Sequence, residues 1–197
     1  MTRELLTKKE IILDAALRLV SRKNSFSITI REIAAEAEVN IAAINYYFKS
    51  KEQLFQEMER HFSENFQDAF IPLDDDTLEK EEKLIAFLKN AISYGRHYPG
   101  MLVFLKDKFL NPDADEKDVQ LKMDFISRML YIRQLFIDVA NPEEDQTGYL
   151  FMALGASLIF PFVADNYVKG LGSLMDEEEH LKYILVVLNK FKREVKR

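Results

Sequence analysis

The 197-residue chain contains no cysteine. That excludes a disulfide scaffold and thiolate metal sites, and it fits a protein kept in a reducing cytosol. Glycine and proline are scarce, at 6 and 5 residues, and most of them fall where helical patterns end. Scarce turn residues between long periodic stretches predict an all-α fold. The opening segment MTRELLTKKE lacks the apolar core of a signal peptide. The three histidines, His61, His97 and His180, lie far apart and show no metal-ligand spacing. Nucleophile elbows, glycine-rich phosphate loops and paired-carboxylate motifs are missing as well. No catalytic residue, metal or cofactor is therefore expected, and an enzyme is not.

An excess of positive charge is also missing, since the formal net charge is −6. Taken alone this argues against a nucleic-acid partner. Its distribution argues the other way. Met1–Lys51 holds nine Lys/Arg against six Asp/Glu, which leaves 18 against 27 for the remainder. A basic end facing phosphate and an acidic end repelled by it would orient the molecule on DNA.

What the chain does contain is a dense run of helix signals over Ile28–Gln53 (ITIREIAAEAEVNIAAINYYFKSKEQ). Thr29-Ile30-Arg31-Glu32 has the capping-box form, with Ile30, Ile33, Ala34 and Ala37 as one apolar stripe behind it. Asn40 restarts a helix as the next N-cap. Ile44 and Phe48 are its expected core residues, leaving Ile41, Ala42, Asn45 and Tyr46 outward or at the edge. Ser50-Lys51-Glu52-Gln53 opens a longer helix carrying Leu54, Phe55, Met58 and Phe62. Thr7-Lys8-Lys9-Glu10 opens an earlier one, with Ile12, Ala15, Ala16 and Leu19 as its stripe. Two short helices with a tight turn suit insertion into the DNA major groove. Ala42 and Ala43 keep the helix surface low, so that backbone approaches a base edge. Asn45 offers the donor and acceptor that match adenine. Thr29, Tyr46, Tyr47 and Lys51 carry the hydroxyls or charge that bind phosphate, Lys51 at a helix N-terminus.

The run VNIAAINYYFKSKEQLF resembles the recognition segment of TetR-family (tetracycline-repressor-like) transcriptional regulators, whose usual pattern is close to V-S-x-G-T-L-Y-x-H-F-x-S-K-E-x-L. The likeness is specific over about Ile12–Met58. It implies a homodimer that binds double-stranded DNA at a palindromic operator and is released by a small effector. By position, Thr29, Asn40, Ala43, Asn45, Tyr46, Tyr47 and Lys51 fall on the family's DNA-contacting positions. Glu38 stands where the family usually has Gly at the turn, Tyr47 replaces the usual His, and Asn45 replaces a common aromatic. The operator sequence therefore cannot be borrowed from a relative.

The resulting expectation is a helix-turn-helix domain over 1–51 and a helical ligand-binding and dimerisation domain over 52–197, about nine helices in all. Leu73–Lys83, with Asp74, Asp75 and Asp76 in a row, is the candidate linker, or else a solvated loop with an N-terminal helix cap. Later helices are predicted over Leu78–Tyr98, Met101–Leu110, Asp115–Ala140, Glu143–Lys169 and Asp176–Val195. Gln146–Ala164 holds nineteen residues without a charge. That length approaches a membrane span, but Gln146, Thr147, Ser157 and Pro161 and the absence of a flanking basic cluster favour a helix buried in protein. No membrane partner is expected. Phe87, Tyr94, Met101, Phe104, Met123, Ile126, Met129, Arg133, Phe151 and Phe162 are taken as inward-facing. They form either ordinary core or an apolar effector pocket, with Arg133 able to pair a ligand carboxylate. Gly155, Leu181, Ile184, Leu185 and Leu188 are the expected dimer-interface residues, two helices per protomer making a four-helix bundle. The alternative reading is an all-α carrier of apolar ligands, or an interaction module, without sequence-specific DNA binding.

Overall fold

A computed structural model describes residues 7–23, 25–97, 103, 116–167 and 176–192. Met101 and Phe104, and the helix expected around them, lie outside these residues. The described elements are α1 (Lys8–Lys23), α2 (Ile30–Glu36), α3 (Ile41–Tyr47), α4 (Lys51–Asp68), a 3-10 turn (Ile71–Asp74), α5 (Lys80–His97), α6 (Glu116–Ala140), α7 (Thr147–Tyr167) and α8 (Glu177–Phe191). No strand occurs among the described residues, so the all-α expectation holds. No helix among them is long and apolar enough to cross a membrane.

The described residues cluster into two compact units. The first takes in α1 to α4 as far as Gln67, together with His97, and so runs past the boundary expected after Lys51. Its core explains the extent. Ile12, Ala15, Ala16 and Val20 of α1, Ile33 and Ala34 of α2, Ile44 of α3, Phe48, and Leu54, Met58 and Phe62 of α4 are all buried. Short helices such as α2 and α3 are marginal by themselves, so this shared packing supplies most of their stability.

Capping motifs set where the helices begin. The Thr7 and Glu10 side chains bond one another's amides at the start of α1. Gln53 behaves slightly differently from expectation. Its amide donates to the Ser50 hydroxyl oxygen at 3.1 Å, but its side chain accepts from the Lys49 amide at 2.9 Å, one residue before the cap. The motif secures the approach to α4 as well as its first turn.

The second unit contains the described residues from Asp68 to Arg96 and from α6 onward. Leu84, Phe87, Leu88 and Ile92 of α5, Ile132, Leu135 and Phe136 of α6, Leu154 of α7, and Ile184 and Leu188 of α8 are buried. The acidic run is built into this unit and is not a loose linker. Asp74 accepts from Arg128 of α6 at 2.5 Å, Asp75 caps Thr77, and Asp76 lies 3.6 Å from the buried Lys83. The Lys83 ammonium also donates to the Leu73 carbonyl at 3.2 Å. A buried ammonium needs such partners.

Two expectations about helix faces are corrected. Met123 and Ile126 of α6 are 59% and 50% exposed, and Arg133 is exposed too, so none of them lines an interior pocket. The buried side of α6 runs through Ile132, Leu135, Phe136 and Ala140, a different phase of the same helix. Ile184 and Leu188 of α8 are 0% and 1% exposed within one protomer, so they have no surface to offer a partner. Gly155, Leu181 and Leu185 are half-buried. Of the remaining pocket residues, Phe87, Tyr94 and Phe162 are buried, and Met129 and Phe151 half-buried.

Candidate nucleic-acid interface

Thr29 caps α2 through a complete capping box. Its hydroxyl accepts from the Glu32 amide at 3.2 Å, and the Glu32 carboxylate accepts from the Thr29 amide at 2.9 Å. Lys23, at the end of α1, donates to the same carboxylate at 2.6 Å. The Lys23 bond first, then those from Thr29, holds the Glu32 carboxyl down at about 2. Arg18 and Arg22 close on Glu36 at 3.3 and 2.5 Å, so α2 is tied to α1 at both ends. These are exposed or half-exposed pairs and contribute little energy each. Their effect is to occupy basic groups that would otherwise be free for phosphate. Lys9 is likewise engaged, with Glu57 of α4 at 3.0 Å and the Phe48 ring at 5.8 Å.

The turn between α2 and α3 is a Schellman motif. The Val39 amide bonds the Ala34 carbonyl at 2.9 Å and the Glu38 amide bonds that of Ala35 at 3.3 Å. The motif needs a left-handed residue after the helix, and Glu38 supplies it at φ 54°. This is the position at which the family pattern has Gly. Asn40 then caps α3, its side-chain oxygen accepting from the Ala43 amide at 2.7 Å. Its carboxamide oxygen is thus committed to the helix.

Ile44 and Phe48 anchor α3 in the core, and the other residues of the helix are exposed or half-buried. Ile41 is 42% exposed, Ala42 and Asn45 are exposed, Ala43 is half-buried, and Tyr46 projects at 82% exposure. Tyr47 is half-buried. Its ring meets Tyr46 edge-on at 5.1 Å and lies 6.5 Å from Phe48, so it buttresses Tyr46 against the core. Lys51, the first residue of α4, is exposed, with its ammonium 5.2 Å from the Phe55 ring centre. The surface thus combines a low, small-residue helix with one carboxamide, one projecting phenol and a cation at the next helix start. Such a surface can enter a groove and hold phosphate on either side.

Two cations were not singled out from the sequence. Arg31, in the first turn of α2, and Lys49, between α3 and α4, are exposed and make no ion pair among the described residues. Their positions flanking the two caps were the available signal.

A second arrangement was invisible in sequence. Asp14, buried in α1, lies 3.0 Å from His61 Nε2 of α4 and 3.9 Å from His97 Nε2. Burial alone would raise its pKa, but hydrogen bonds and charge from the two imidazoles outweigh it and hold the carboxyl well below the usual carboxylate range. The cluster pins α1 to α4.

Residues 12–58 match the family described as bacterial regulatory proteins, tetR family. YttP of Bacillus subtilis, a probable HTH-type transcriptional regulator, is 22% identical over 166 residues, covering 81% of this chain and 79% of its own. The HTH-type transcriptional repressor KstR2 of Mycobacterium tuberculosis is 22% identical over 190 residues, covering 93% and 92%. Among solved structures, a TetR-like transcriptional regulator from Rhodococcus sp. RHA1 superposes with a TM-score of 0.63 at 16% identity, covering 95% of this chain and 97% of its own. LfrR of Mycobacterium smegmatis, in complex with proflavine, does so at 0.58 and 16%, covering 95% and 98%.

Proposed function

Because the chain belongs to the TetR family of DNA-binding transcriptional regulators, we propose that it is a homodimeric repressor, bound to a palindromic operator through α3 and released by a small, largely apolar effector. The exposed row Ala42, Asn45 and Tyr46 on a helix capped at Asn40 carries the reading. Asn45 reads a base edge, most favourably adenine. Tyr46, Thr29 and Lys51, with Arg31 and Lys49 beside them, hold phosphates and set the register. Ile41 and Ala43 border the contact, and Tyr47 supports it.

Two-fold pairing would present two such helices to successive major-groove faces, about 34–36 Å apart. The surface favouring a dimer is an apolar stripe on α7 and α8. Tyr149, Met152 and Phe160 are 76%, 72% and 63% exposed, and Val186 is 57% exposed. Positions 149, 152, 156 and 160 share one helix face, and an exposed stripe of this kind in a single protomer marks an interaction site. It replaces Ile184 and Leu188 as the proposed interface. The similarity to KstR2, a repressor, and to LfrR, which binds proflavine, supports repression and effector binding.

Titration of a binding-site-selected duplex by fluorescence anisotropy across salt tests the reading. Lys51→Ala should weaken all duplexes and lower the salt slope by about one unit. Asn45→Ala should relax preference at one or two positions per half-site, costing about 1–3 kcal/mol there. Wild-type binding that is indifferent to sequence and salt would favour the carrier reading. A parental motif recovered with Asn45→Ala would remove Asn45 from base reading.

A further inference from the structure

His180, in the first turn of α8, is fully buried, and its Nδ1 is a buried polar atom without a hydrogen-bond partner among the described residues. Such atoms are rare in folded proteins and call for an explanation. The surrounding chain shows what kind of atom it is. Pro161 lies inside α7. Having no amide hydrogen, it cannot bond the carbonyl four residues back, which belongs to Ser157. His180 Nε2 sits 3.4 Å from that carbonyl. A carbonyl only accepts, so Nε2 carries the proton, and the neutral ring must present Nδ1 as a bare acceptor.

The neighbours hold the ring in this state. The Ser157 hydroxyl donates to the Ala153 carbonyl at 2.8 Å and accepts from the Tyr183 hydroxyl at 3.4 Å, which steadies the Ser157 turn. Phe162 packs against the imidazole with ring centres 5.1 Å apart. It can do so because Gly95 of α5 has no side chain. A Cβ there would stand 2.7 Å from the Phe162 ring. Burial first, and then the positive charge of Arg96, lowers the His180 pKa, while the Ser157 carbonyl opposes this. The ring is therefore an uncharged acceptor at neutral pH, walled by an aromatic ring and linking the two helices that carry the proposed dimer stripe.

We propose that His180 Nδ1 is the recognition point for the hydroxyl of an otherwise apolar small molecule, an alcohol or a phenol, bound within the second unit. An acceptor demands a donor, which a carboxylate lacks and an ether lacks. An ammonium would have to be buried as an ion at far greater cost. The role of that molecule as effector rests on the regulatory reading above. The site itself does not.

The test uses matched probes on the full chain: 2-naphthol against 2-methoxynaphthalene, and 1-decanol against methyl nonyl ether, by calorimetry at pH 8. At least one hydroxyl probe should bind about tenfold more tightly than its ether, since the ether leaves the acceptor unpaired. His180→Leu should bring the pair to equal affinity. Pro161→Ala, by returning an amide donor to the Ser157 carbonyl, should reduce the selectivity without abolishing binding. Nitrogen-15 histidine spectra of the wild type give a readout that survives if the leucine variant misfolds. The His180 Nδ1 resonance should be that of an unprotonated nitrogen, and should move with 2-naphthol but not with its ether. Equal affinities, no binding by either hydroxyl probe, or a protonated Nδ1 would overturn the proposal. Hydroxyl-selective binding that leaves DNA affinity unchanged would uphold the site and overturn the effector reading.

Discussion

Replacing Glu38 by glycine isolates one backbone contribution to the DNA-reading unit. Glu38 is exposed, and its side chain makes no hydrogen bond or ion pair among the described residues, yet its φ of 54° is left-handed. For an L-residue that conformation costs about 1–2 kcal/mol, through the close approach of Cβ to the following carbonyl oxygen. Glycine has no Cβ, but its looser unfolded chain returns about 0.5–1 kcal/mol of the benefit. The net gain should be about 0.5–1 kcal/mol, equivalent to a rise of about 1–4 °C in Tm for a chain of this size. The proper reference is Glu38→Ala, which removes the same charge near the phosphates while keeping the Cβ. Urea and thermal unfolding at one fixed protein concentration should rank Gly above Ala by that margin. Operator affinities of the two variants should agree within about twofold, because both Schellman hydrogen bonds use backbone atoms alone. Glycine equal to or less stable than alanine would refute the reasoning, and with it the assignment of the turn.

The two faces of α8 should respond oppositely: Leu188→Ala should cost about 2–5 kcal/mol of protomer stability, whereas Val186→Asp should leave the protomer folded and give monomers by light scattering. A dimeric Val186→Asp variant would discard the proposed stripe. Asp14 has a folded pKa below its unfolded one, so its pairing stabilises the fold at neutral pH and fades as pH falls below about 4. Asp14→Asn should accordingly flatten the acid limb of the stability profile between about pH 4 and 2 and lose about 1–3 kcal/mol at pH 7, measured by urea unfolding at each pH. An unchanged acid limb would remove Asp14 from that role.

Much of the DNA-reading unit was legible in the chain, because its determinants are local. A capping box joins residues three apart, and the Thr29–Glu32 box and the Asn40 cap occur where the sequence placed them. The buried stripes of α1 and α2, and Ile44 and Phe48 beyond them, follow from helical periodicity against a single core. The same reasoning lost its grip on α6, α7 and α8. These helices carry apolar residues on more than one side, so periodicity cannot say which stripe meets the protomer's core. The packing of the second unit chose Ile132, Leu135 and Phe136 over Met123 and Ile126, and it took Ile184 and Leu188 inward. Contacts between residues distant in sequence were equally beyond reach. No spacing rule brings His61 and His97 to Asp14, or joins Arg128 to Asp74. Pro161 is visible as a residue that leaves a carbonyl unbonded, but only the approach of α8 to α7 decides that His180 answers it. What is set by neighbours along the chain could be read from the sequence. Which of several apolar faces is buried, and which polar groups meet there, depended on long-range packing that only the folded chain supplies.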